Sequence, residues 1–231
     1  MKRNDLFLLL FIALLFCPFL FFQPAFSLYN DFNKAHGMVM SFLKFAILAT
    51  MGEMIALRIR KGVYNEKGFG ILPRAIVWGF LGLAIKAAFT IFSSGTPVFM
   101  EYLGMAEAGS VIKGAFTPEK LLVAFCISTA MNLVFAPVMM TFHKITDTHI
   151  LMNGGTIGGF FSPIHFSNIF QGINWDIQWN FVFKKTIPFF WIPAHTITFL
   201  LPPDFQVLFA ALLGIALGLI LSFASMKAVK R

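Results

Sequence analysis

Six long apolar blocks dominate the chain: Leu6–Phe22, His36–Leu57, Ala75–Ser94, Leu121–Phe142, Phe183–Leu201 and Phe205–Met226. A helix needs ~20 residues to cross the hydrocarbon core, and most of these blocks are about that long. Lipid offers no hydrogen bonds, so a crossing backbone must satisfy its own, and helices are the default. The pattern predicts an all-α polytopic transmembrane helix bundle. It has five spans plus an N-terminal segment that is either a signal peptide or a sixth span.

The first block leaves that choice open. MKRND, then LFLLLFIALLFCPFLFF, then QPAFS has the three regions of a secretory signal, with Ala25 and Ser27 as small residues before a cut. Its apolar stretch is long for a signal and short for a span. The organisation is therefore residues 1–27 as signal or extra span and residues 28–231 as one helical membrane domain. Either way Leu28 reaches the outer side.

Charge placement orients the bundle. With the N-terminus inside, the segments 1–5, 58–74, 143–185 and 227–231 face inward and hold 13 of the 18 Lys and Arg residues. The outward segments hold Lys34, Lys113 and Lys120. This is the bias of the positive-inside rule, and it puts the C-terminus inside, as for a bacterial inner membrane. It also explains the net charge of +8 without nucleic acid. Composition agrees: 12% charged residues and a mean hydropathy of +0.79 fall far from a soluble domain, which keeps about a quarter of its residues charged. Cys17 and Cys126 lie inside apolar blocks and form no framework.

Four ionisable residues sit within spans, where such groups usually face protein or a wet cavity. Glu53 lies about one turn from the inner end of its helix, within reach of Arg58 or Arg74 for structural pairing. Lys44 and Lys86 lie roughly 12 Å below the outer ends of theirs, and His195 roughly 9 Å down its own. One reading is separate snorkelling of the lysines to the interface. The other is a shared polar cavity favouring anions, which must be wet because two desolvated ammonium groups repel.

The segment TIPFFWIPAHTITFLLPPDF carries Pro188, Pro193, Pro202 and Pro203. Each removes a backbone donor, so the span is expected to kink and to face neighbours, with Thr196 and Thr198 covering freed groups. In the last block Ala210, Gly214, Gly218 and Ser222 form a ridge of small side chains, which predicts close packing against another helix within the bundle, with a homo-oligomer as the second reading. Gly154, Gly155, Gly158 and Gly159 lack the Gly-Lys-Ser/Thr and preceding strand of a phosphate loop. They read as an inner-face connection with interfacial Trp175 and Trp179. His143, His149 and Asp147 are a weak metal signal, no nucleophile elbow is present, and neither enzyme chemistry nor a cofactor is expected.

The proline-rich segment also carries a resemblance. The chain resembles the Mpv-seventeen family, also called the twenty-two-kilodalton peroxisomal membrane protein family, over roughly residues 29–223. That family closes on W-P-x-x-Q-x-x-N-F-x-x-V-P and a last helix ending L-S; here Trp191, Phe199 and Pro203 fall on the W, F and final P. Leu221–Ser222 follow after a one-residue deletion. His195 stands at the Q position, Thr198 at the N, Ile192 at the first P and Pro202 at the V. Tyr29 and Ala35–His36 match an early Tyr and Ala-His, while Gly52, Glu53 and Leu57 stand for G-D-x-x-x-Q. Met131, Asn132, Phe135, Ala136 and Pro137 stand for D-Q-x-x-F-A-P. The G-P-x-x-x-x-W-Y element is not recognisable around Lys86.

The resemblance implies a helical membrane protein of a family proposed to form weakly selective pores for small solutes. Glu53, Asn132 and His195 then inherit the polar family positions, with Gly52, Pro137, Trp191, Phe199 and Pro203 as structural ones. Together these readings predict a bundle enclosing a polar path for small metabolites or anions, with membrane lipids as its other partners. The rival reading is a non-conducting scaffold or a stress-related structural membrane protein.

Overall fold

Long uninterrupted apolar stretches become long helices here, and each ends where the sequence supplies a breaker. The computed structural model describes residues 3–229, with side chains described through residue 220 and at Ser222. Lys2, Leu221 and the basic positions 227–231 used above therefore lie outside the described side chains. In chain order the elements are α1 (Arg3–Phe21), α2 (Gln23–Ala35), α3 (Gly37–Lys61), α4 (Ile71–Tyr102), α5 (Ala108–Val111) and α6 (Pro118–Met152). They continue with α7 (Ile157–Phe160), α8 (Phe166–Gly172), α9 (Trp175–Ile177), a π-helical segment Gln178–Trp191, α10 (Ile192–Leu200) and α11 (Pro203–Val229). There is no strand among the described residues.

Helices α1, α3, α4, α6 and α11 are long and apolar enough to span a membrane. The remaining apolar block, Phe183–Leu201, is built differently. The π-helical segment runs directly into α10, so two helical types share one crossing. Pro188 lies inside the wider π turns, where carbonyls sit further from the pyrrolidine ring, and Pro193 lies in the first turn of α10, which needs no internal donor there. Thr186 Oγ1 donates to the Phe181 carbonyl five residues back. Thr196 and Thr198 donate to the carbonyls of Ile192 and Ala194. These are ordinary bonds one turn back, not covers for groups that the prolines leave open. Leu201 is extended and Pro203 opens α11, so the Pro202–Pro203 pair separates two helices.

Helix α6 corrects the sequence expectation of a connection from residue 143. It starts at a Thr117 cap, whose hydroxyl accepts from the Lys120 amide, and runs 35 residues to Met152. That is ~52 Å of helix, well beyond the hydrocarbon core. His143, Asp147 and His149 therefore ride on a rigid extension of a span. It stops at Asn153–Gly154–Gly155. Gly155 has φ +69, and a Cβ there would lie 2.7 Å from the Gly68 carbonyl carbon, so its glycine serves close backbone approach rather than phosphate binding.

The chain forms two compact units, Met1–Met40 and Ser41–Arg231. In the first, α1 packs on α2 with Phe19 and Tyr29 in ring contact at 5.2 Å, and α1 buries none of its own side chains. In the second, α6 packs on both α4 and α10. Helices α3 and α4 meet closely at Gly82, where the Ser41 hydroxyl donates to the Gly82 carbonyl at 2.7 Å. The ridge on α11 meets α3: an added Cβ at Gly52 would touch Ile215 at 3.0 Å, and Ser222 donates to the Ala56 carbonyl at 3.4 Å. The ridge thus serves packing inside the bundle.

Several polar side chains are buried in the mostly apolar core while large apolar ones face outward. Ser128 and Thr198 are 0% exposed and Asn132 1%, whereas Phe189 is 80% and Val138 69% exposed. An apolar girdle around polar contacts is the arrangement a bilayer demands.

Candidate functional site

A cavity of about 360 Å³ lies inside the second unit, bordered by α3, α4, α6, the π-helical segment, α10 and α11. Most of its wall is apolar: Phe45, Phe89, Phe135, Leu217 and the methionines 131, 139 and 140 are typical. On the α11 side the wall is Ala210, Gly214 and Gly218, and an atom added at the Gly214 Cβ position would meet nothing within 4 Å. The small ridge therefore does two things, packing α3 along one edge and leaving room along the other.

Polar groups border this cavity at two places. The first is the ion network that includes Glu53 and His143. Arg74 is ion-paired with Glu53 and with Asp147, and its Nε donates to the Phe69 carbonyl at 2.6 Å. Its guanidinium also lies over the Phe69 ring at 4.5 Å. Glu53 accepts from Trp78 Nε1 at 2.9 Å and lies 3.2 Å from His143 Nε2. Lys144 stands 3.9 Å from Asp147. One arginine thus ties α3, α4 and α6 together. Of the two candidates for Glu53, Arg74 is the partner; Arg58 instead donates to the Gly62 carbonyl and lies over Tyr64.

The second polar place is the Asn132–His195 pair between α6 and α10. Asn132 Nδ2 donates to the Ser128 carbonyl at 2.8 Å and lies 3.1 Å from His195 Nδ1, while the Ser128 hydroxyl donates to the Ile192 carbonyl at 2.7 Å. The imidazole is held between Phe89, edge-on at 5.6 Å, and Trp191 at 5.1 Å. The Trp191 indole N–H is buried without a partner among the described residues, a costly arrangement for a donor.

The sequence-predicted residues divide accordingly. Glu53, Asn132 and His195 border the cavity, together with the family-position residues Gly52 and Trp191. Lys44 and Lys86 do not border it. Lys44 is buried and interacts electrostatically with Lys86 and Asp204, so the lysines form a separate group rather than sharing one space with His195. The expectation that all three nitrogens line one path is corrected. A lysine stem spans four carbons, and its head followed the nearest carboxylate on α11. Pro137 and Phe199 are structural: the Pro137 carbonyl accepts from Thr141, and the buried Phe199 ring packs on Phe89 at 5.1 Å.

Sequence reasoning missed Trp78 and Gln178 and undervalued His143. His143 and Asp147 are one helical turn apart on the α6 extension, which was the available signal, but they face Glu53 and Arg74 rather than a metal. His149 points elsewhere, its Nε2 3.1 Å from the Phe160 carbonyl. Among the described residues no three His, Cys, Asp or Glu side chains are grouped for a metal.

Fold and burial together define an all-helical, multi-pass membrane protein. No family model, curated protein or solved structure matches the chain.

Proposed function

We propose that the bundle is a weakly selective passage for small metabolites across a bacterial inner membrane, with the C-terminus on the inner side. One observation carries this reading. The cavity is bordered by Lys144 and Gln178 as well as by His195, and by the three helices that hold Glu53, Asn132 and His195. Those three are also the polar positions that the family resemblance implicates, and that family is proposed to form pores. The anion preference has less support than the passage itself, because Lys44 and Lys86 stand off the cavity wall. Apolar walls disfavour bare ions, which lose hydration there. No bond-making chemistry is proposed, and lipids and transported solutes are the expected partners.

The test is efflux from sealed vesicles containing the reconstituted protein, with glycerol and a small carboxylate as entrapped solutes. Glycerol release above protein-free vesicles, suppressed at least several-fold by Gly214→Leu, is the expected outcome. Gly214→Leu adds bulk where the wall has open space. Equal leakage with and without inserted protein refutes the passage. The scaffold reading would then stand on the Arg74 network, which joins three helices regardless of transport.

A further inference from the structure

The Asn132–His195 pair does more than fill space, because its hydrogen bonds decide which ring nitrogen carries the proton. The Ser128 carbonyl is an acceptor only, so the Asn132 group 2.8 Å from it is the amide nitrogen. That nitrogen's second N–H points to His195 Nδ1 at 3.1 Å, which must then be an acceptor. The alternative, Nδ1 donating to Asn132 Oδ1 at 3.3 Å, is longer and leaves the second amide N–H only the Ser128 hydroxyl oxygen at 3.3 Å. The neutral imidazole therefore holds its proton on Nε2. Among the described residues the hydrogen bonds of His195 are made through Nδ1, which leaves Nε2 as its second polar atom, on a residue of the cavity wall. Phe89 and Trp191 fix the ring plane. The result is an oriented N–H donor on a largely apolar wall that also carries the unpartnered Trp191 indole N–H.

We infer that the cavity binds a neutral, apolar-bodied small molecule that presents one acceptor oxygen, such as a ketone or quinone carbonyl, to His195 Nε2–H. This rests on the passage reading and names the class of solute that the passage takes. Size follows from the volume. A cavity of about 150 Å³ accepts one benzene, so 360 Å³ takes a molecule of roughly 14 non-hydrogen atoms by the same scale. Methionines 131, 139 and 140 supply side chains that adapt to varied shapes. A charged molecule is disfavoured, because it would lose hydration against the mostly apolar wall.

The probe is benzophenone, which has about that size, one carbonyl and no charge. Diphenylmethane has the same shape without the oxygen. Binding to the purified protein in detergent is measured by calorimetry, and the site is read by irradiating the benzophenone complex and sequencing the labelled peptides. Labelling is expected in the peptides holding Met131, Met139 and Met140. His195→Phe keeps an aromatic ring between Phe89 and Trp191 but removes the donor. It is expected to weaken benzophenone roughly 3- to 10-fold and to leave diphenylmethane unchanged. Gly214→Leu is expected to abolish both. His195→Gln, which restores an N–H, should recover benzophenone binding.

Equal weakening of both probes by His195→Phe overturns the acceptor-oxygen claim. So does labelling spread over exposed positions such as Phe80 and Leu133, or labelling that survives Gly214→Leu. Failure of the passage reading is seen separately, as absent vesicle efflux in a protein that still binds benzophenone at this site.

Discussion

Replacing Arg74 by methionine would remove the guanidinium that touches both Glu53 and Asp147 while keeping much of its apolar length. Arg74 is buried, and its side chain is 10% exposed against 21% and 23% for its two acidic partners. Removing one member of a buried ion pair costs about 3–5 kcal/mol, chiefly because the partner charge is left uncompensated. Two carboxylates are orphaned here, but both retain help: Glu53 keeps Trp78 and His143, and Asp147 keeps Lys144 at 3.9 Å. The expected loss is therefore about 3 kcal/mol, the lower end of that range. Most of it should come from the carboxylates and not from lost packing, so adding Glu53→Gln to Arg74→Met should restore about 1–2 kcal/mol. The assay is a double-mutant cycle on unfolding of the purified protein in detergent, followed by circular dichroism against rising sodium dodecyl sulfate. Arg74→Met within about 0.5 kcal/mol of the parent, or a double mutant that is simply additive, would show that the network contributes no coupling and refute the argument.

Further outcomes follow from the same geometry. Gly82→Ala places a Cβ 2.7 Å from the Ser41 backbone oxygen; the forced separation of α3 from α4 should cost about 1–3 kcal/mol in the same unfolding assay. Gly214→Ala, at open space, should be neutral there, and a comparable loss would mean that the α11 wall is closed. Orientation is checked with single cysteines in a chain carrying Cys17→Ala and Cys126→Ala. A membrane-impermeant maleimide should label Lys113→Cys but not Lys184→Cys in intact cells, and the reverse pattern would invert the topology. Asn132→Leu removes the group that sets the His195 tautomer and should weaken benzophenone binding as His195→Phe does, roughly 3- to 10-fold.

Some of this protein is written locally along its chain. Whether a block such as Leu121–Phe142 enters lipid depends on the summed transfer energy of neighbouring residues, and the sidedness depends on where lysines and arginines fall between blocks. Helices followed because lipid permits little else. The small ridge Ala210–Gly214–Gly218–Ser222 was legible for the same reason: a spacing of four determines a face before any partner is known. Glu53 was legible as needing a cation, since a lone carboxylate near the inner interface has few alternatives.

Only the tertiary structure decided the rest. Arg58 and Arg74 are equivalent in the sequence, and the choice between them depended on how α4 lies against α3. Trp78 and His143 reach Glu53 from helices 25 and 90 residues away, and no local pattern encodes such meetings. Lys44 and Lys86 were read from their depth along their helices, but depth is one coordinate; the direction of each side chain around its helix keeps both off the cavity wall. His195 Nδ1 meets an amide 63 residues distant. Hydropathy is a property of single residues and survives any arrangement of the helices, whereas a cavity exists only once six segments have chosen their faces.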